Sequence, residues 1–281
     1  MPIYPPHCTQ SPARERKSIS PILAHPVSPS DRALEGSPND LAYCRERLRP
    51  WGSRASMIVH LAPANQKESL LAVFALESEW ETLSRPARNP EGLSHRFAWW
   101  TEELRRLADG SPTHPVTRLL AARALQETLT HARLEKSLEG FLKARSLSAT
   151  PGLVHESLLR RVGESRGLFL EASLLGKGPE LPQAVFAALA LADWLATWGF
   201  HSGGPEEGAL LDRARSALAS ANAGLAPFRR DPSSWPLRVT FALARLQLDG
   251  VERSLRNPAS HRPRARPGIP ATLWTAWKAA L

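Results

Sequence analysis

Apolar positions recur at helical spacing along most of the chain, and one stretch combines that spacing with acids. From Leu70 to Leu83 the sequence reads LLAVFALESEWETL. At about 100° per residue, Leu70, Val73, Phe74, Glu77, Trp80, Glu81 and Ser84 share one side, with Ala72, Ser78, Glu79 and Thr82 pointing mostly elsewhere. Two carboxylates one turn apart thus share a face with the largest apolar side chains. A desolvated carboxylate costs several kcal/mol unless it is paired or metal-bound. The face therefore lines a polar cavity, or its acids meet basic partners from other helices.

The same pattern predicts the other elements. Asn39 or Asp40 caps a first helix over Leu41 to Leu48, closed by Pro50 and Gly52, and Ser53 to Leu61 forms a second. Asn65 caps the long helix, and Pro86 ends it. Leu93 to Leu107 follows, with Phe97, Trp100, Leu104 and Leu107 on one side and Asp109-Gly110 as its stop. Further helices are expected over Val116–Thr130, Arg133–Leu147, Pro151 to about Leu175, Leu181–Trp198, Glu206–Leu225 and Trp235–Leu255. Leu181–Trp198 is the most apolar and is expected to run through the centre. No alternating strand pattern appears, so the fold class is all-α: a single large helical bundle of about eight to ten helices.

Composition narrows the picture. An apolar content of 42% and a charged content of 22% suit a globular chain. No run of apolar residues is long enough to predict a membrane span, and no secretory signal is expected. Residues 1–38, rich in Pro and Ser, read as a disordered tail, and residues 39–256 as the helical domain. Residues 257–281 read as a basic Pro-rich linker and a short amphipathic helix in which Leu273, Trp274, Trp277 and Leu281 form an apolar stripe. That stripe is either an interfacial anchor or a last helix docked on the bundle, and docking is favoured because so short an anchor binds membranes weakly. Cys8 and Cys44 are too few for a zinc site and are not expected to pair, which suits a reducing compartment. The net charge of +9 favours anionic partners. No nucleic-acid motif accompanies it, so nucleic acid is set aside. His60, His114 and His201 lack metal-ligand spacing and read as structural.

Several segments resemble the squalene/phytoene synthase family, all-α isoprenoid synthases. LAPANQKESLLAVFALESEWETL is similar to the family's first conserved helix, Arg96 to Leu104 (RFAWWTEEL) to its R-x-x-WW helix, and His114-Pro115-Val116 to the HPV that follows. LLRRVGESRGLFLEASLLG matches a later helix more loosely, and the resemblance covers roughly Leu41 to Gly178. It implies the terpenoid synthase type of bundle, in which two Asp-rich motifs bind Mg²⁺ ions that grip prenyl diphosphates. The first motif's leading Asp falls on Glu81, its neighbour on Thr82 and its last Asp on Arg85. The Asn, Arg and Asp of the second fall on Leu195, Trp198 and Gly199, and Trp194 and Trp198 would fill a cavity meant for isoprenoid tails. Both metal sites look dismantled.

The candidate cavity residues are Glu77, Glu79, Glu81, Arg96, Trp99 and Asp193. Glu77 and Glu81 could chelate a metal with Asp193 as a third oxygen, or pair with Arg96 or Arg161. Ion pairs are favoured, and no metal is expected. Trp100 is expected in the core, with Trp99 covering a groove. The resemblance extends to a branch containing a mitochondrial complex I assembly factor, whose NVELA-like segment is similar to SEWET here, with Glu79 at the shared acid. It implies a catalytically inactive assembly or binding protein, cytoplasmic and peripheral to the inner membrane. Its expected partners are an anionic membrane surface or membrane-protein complex, isoprenoid lipid or prenyl diphosphate. The alternative is an active prenyl diphosphate transferase joining two diphosphates head to head, with Mg²⁺ as its cofactor.

Overall fold

The computed structural model describes residues 37–48, 53–84, 91–125, 128–149, 156–198, 207–256 and 269–280, and every regular element among them is helical. The order is α1 (Pro38–Arg47), α2 (Arg54–Leu61), α3 (Ala64–Ser84), α4 (Glu91–Ala108), α5 (Pro115–Ala122), α6 (His131–Ala149), α7 (Glu156–Ala172), α8 (Gln183–Trp198), α9 (Glu207–Leu225), α10 (Trp235–Arg256) and α11 (Ile269–Ala280). The expected tail lies almost wholly outside the described residues, as do Cys8, Arg85, His201, Leu281 and the basic linker. No described helix is long and apolar enough to cross a membrane.

Local chemistry fixes the ends. The first helix starts earlier than expected: the Ser37 side chain caps α1 by accepting from the Asn39 amide at 3.1 Å. Asp40 is instead buried and held by Arg118 of α5. Ser53 caps α2. Gly110, at φ +74°, closes α4, and the Ser111 amide reaches back to the Arg106 carbonyl at 2.8 Å. The helix expected over Val116–Thr130 stops at Ala122, because the chain turns through Ala124 at φ +50°. Left-handed backbone at a non-glycine residue cannot continue a helix.

Two helices are central, α8 to one core, as its apolarity predicts, and α3 to the other. Every residue from Leu70 to Glu77 is at most 2% exposed. A helix buried on all sides needs apolar residues around its whole circumference, and LLAVFAL supplies them. Around α3, the helices α1, α2, α4, α5 and α6 with parts of α7, α10 and α11 build one core, while α7, α8, α9 and α10 build a second. The second depends on a close approach of α7 and α8. A Cβ at Gly163 would stand 2.6 Å from the Ala187 carbonyl oxygen, and one at Gly167 would stand 2.9 Å from the Ala187 nitrogen. Only glycine permits that contact. One flank of α8 stays partly open, at Ala187, Ala188 and Leu191.

The last helix, α11, docks on α10 and α2. Arg238 donates to the carbonyls of Ala279 at 2.9 Å and Ala280 at 3.1 Å, satisfying the C-terminal acceptors of α11 with a cation. Thr272 and Ala276 face inward, and Leu273 packs against the core. The expected stripe is therefore split: Trp274 and Trp277 point outward, stacked with ring centroids 5.3 Å apart.

Candidate functional site

Glu77 sits where α3 is fully buried, so its carboxylate must find its partners inside the protein. Arg54, in the first turn of α2, provides them. Its Nη2 donates to both Glu77 oxygens, at 2.5 and 2.6 Å, and its Nε donates to Asp193 Oδ2 of α8 at 2.9 Å. One turn along α3, Glu81 accepts from Nη1 of Arg166 at 2.7 Å, and the same nitrogen lies 3.9 Å from Glu77. Arg166 is itself buried, its guanidinium 4.5 Å from the Phe141 ring centroid and 5.9 Å from that of Trp194. Two arginines and three acids thus join α2, α3, α7 and α8. The expected pairing exists, but neither expected partner makes it. Arg96 is exposed and donates to the Gly92 carbonyl of its own helix, and Arg161 is exposed on the outer side of α7.

Not every donor in this cluster is used. Arg54 Nη1 and Arg166 Nε are buried and without hydrogen-bond partners, as is the indole nitrogen of Trp80. The Trp80 ring fills the space beside the network and meets Trp100, Phe141 and Phe169 edge-on at 5.6 to 6.0 Å. Burial pushes the Glu77 carboxyl up to about 7, against the pull of Arg54, and burial also raises Asp193.

Glu79 points to the opposite side of α3, towards α1. It accepts from the Tyr43 hydroxyl at 2.6 Å and pairs with Arg47 at 2.6 Å. Nδ1 of His114 accepts from the Val116 amide at 3.3 Å and so caps α5. This leaves Nε2 as the protonated nitrogen facing the Tyr43 oxygen, at 3.3 Å. Burial pushes Tyr43 up to about 12, reinforced by its hydrogen bond to Glu79, and lowers His114. Trp99, 42% exposed, lies over this corner with its ring centroid 5.5 Å from that of His114, while Trp100 is buried beneath.

Beside it, the fully buried Glu103 accepts from the amides of Thr113 and His114, both at 2.8 Å, and from the hydroxyls of Thr113 and Thr117. Burial alone would raise this carboxyl, but the hydrogen bonds outweigh it and hold it at about 2. The WWTEEL and HPV segments are thus locked together by an acid whose role is structural. Cys44 is a buried free thiol pushed up to about 12, too high for a nucleophile.

Arg54, Arg166, Tyr43 and Glu103 went unread in the sequence. Arg166 had a visible signal: Leu159, Val162, Arg166 and Phe169 share one face of α7, so a cation stands among apolar residues just as Glu77 does on α3. Arg54 begins an eight-residue helix, too short for such a pattern. Compared with known protein families, curated proteins and solved structures, the chain matches none.

The raised Glu77 carboxyl gives stability a defined pH dependence. A group that holds its proton more tightly when folded contributes fully below its unfolded value of 4.5 and loses that contribution as pH rises through about 7. The stability of wild type relative to Glu77→Gln should therefore fall between pH 4.5 and 7 in chemical denaturation; a pH-independent difference would contradict the assignment.

Proposed function

We propose that this chain is a catalytically inactive protein of the squalene/phytoene synthase type that serves as an assembly or binding protein at a membrane surface. The observation that carries the reading is the arginine pair on the acids of α3. Magnesium needs hard oxygen ligands with free lone pairs, usually alongside water. Both Glu77 oxygens accept from Arg54, and Arg166 stands between Glu77 and Glu81. A guanidinium at that position repels a divalent cation, so the donor set does not suit the metal that diphosphate departure would require. The Trp80, Phe141 and Phe169 rings fill the neighbouring space, leaving little room for two isoprenoid chains.

The membrane part of the reading rests on α11. Its docked face is made of Thr272, Leu273 and Ala276, whereas Trp274 and Trp277 are 55% and 46% exposed with Lys278 4.6 Å from the Trp274 centroid. Indoles beside a cation suit the headgroup layer of an anionic bilayer.

Purified protein given Mg²⁺ with farnesyl or geranylgeranyl diphosphate should yield no hydrocarbon product. Squalene or phytoene formation, abolished in Glu81→Gln, would establish the active transferase instead. In a separate test, wild type should pellet with phosphatidylglycerol vesicles more than with phosphatidylcholine vesicles, and Trp274→Ala/Trp277→Ala should lose most of that difference. Equal pelleting of variant and wild type would remove α11 as the contact.

A further inference from the structure

Two grooves meet on the outer side of α6, α7, α8 and α9, away from the buried network. The first, about 640 Å³, lies between α6 and α7. Five cations face it (Arg133, Lys136, Lys143, Arg160 and Arg161) against three carboxylates. Their pairing is mostly loose. Lys136 and Arg160 share the single Glu164 carboxylate, each at 3.9 Å, and Lys143 reaches Glu139 at 3.5 Å. Arg161 makes no ion pair among the described residues, and only Arg133 is in close contact with its acid, Glu171. Exposed pairs of this kind stabilise little, so an entering anion could recruit these cations at small cost.

The second groove, about 460 Å³, runs along α7, α8 and α9, and it shares Arg160, Glu164 and Gln183 with the first. Ser216, Ser220 and the paired Arg213 and Glu156 line part of it. Its α8 wall is small and apolar, with Ala184, Ala187, Ala188 and Leu191 opposite Ala217 of α9. This is the flank of α8 that the bundle leaves partly uncovered. A cationic recess opening into an apolar trough has the polarity of an amphiphile, reversed in charge. The trough's size suits one hydrocarbon chain rather than two.

We propose that the joined grooves bind a single-chain anionic lipid with a phosphate headgroup. The phosphate sits among Lys136, Arg160 and Arg161, and the chain lies along Ala187, Ala188 and Leu191. This site stands apart from the function proposed above, since neither groove includes a residue of the buried network.

Isothermal titration of the full chain with lysophosphatidic acid, below its micelle concentration, tests the assignment. Saturable one-to-one binding is expected, with lysophosphatidylcholine and inorganic phosphate at least about tenfold weaker. Arg160→Gln/Arg161→Gln should weaken lysophosphatidic acid binding about tenfold while leaving the melting temperature unchanged, since both side chains are exposed. Ala188→Trp should block the chain and leave phosphate binding unaltered. Inorganic phosphate binding as tightly as the lipid would reduce the site to an anion patch, and equal binding of lysophosphatidylcholine would reduce it to apolar adsorption. Either result overturns the proposal, as does an unchanged affinity in the arginine variant, which keeps the test decisive should Ala188→Trp fail to fold.

Discussion

A carboxylate on a stretch of helix buried all round obliges the fold to deliver a cation to it, and the placing of Glu77 at the end of the enclosed part of α3 imposes that requirement here. Arg54 meets it from α2 and Arg166 from α7, each carrying a further acid with it: Asp193 from α8 and Glu81 from α3. Buried ion pairs of this kind add little net stability over an apolar replacement. Removing a single partner, however, costs about 3–5 kcal/mol because a bare charge remains inside. The network therefore acts mainly on register. It fixes where α2 and α7 meet α3, and α8 follows α7 through the glycine contacts at Gly163 and Gly167.

The polar groups of α3 divide between two sides with different duties. Glu77 and Glu81 look towards α2 and α7, where the acids are enclosed by arginine and aromatic rings. Glu79, two residues on, looks towards α1, where Tyr43, Arg47 and His114 form a hydrogen-bonded corner roofed by Trp99. Glu103 then binds that corner to the start of α5. The tryptophan pair packs against this corner, and the HPV segment opens α5. In the fold they serve to cap and cover.

The all-α class and most helix positions were legible because amphipathic spacing repeats over long segments, and stops such as Asp109-Gly110 carry their own turn chemistry. The burial of Glu77 was equally legible, because an acid among Phe74 and Trp80 on one face has few explanations. Its partners were not. Which arginine reaches a buried acid is decided by how helices cross, and local spacing holds no trace of that. Mean apolarity favoured Leu181–Trp198, and that helix does run through the middle of the second core. That the less apolar α3 is equally enclosed in the other core was not legible, because its enclosure depends on cations that other helices deliver to its acids. The split of the Trp274 and Trp277 stripe has the same origin, since Thr272 and Ala276 turned inward to meet α10.

The central claim, that Arg54 and Glu77 exist for one another, can be measured by a double-mutant cycle in chemical denaturation. Arg54→Met and Glu77→Leu singly should each destabilise the protein by about 3–5 kcal/mol, and the double variant should recover a substantial part of the summed loss. Simply additive losses would show that the two side chains are independent and that the acids of α3 are held ready for something other than arginine.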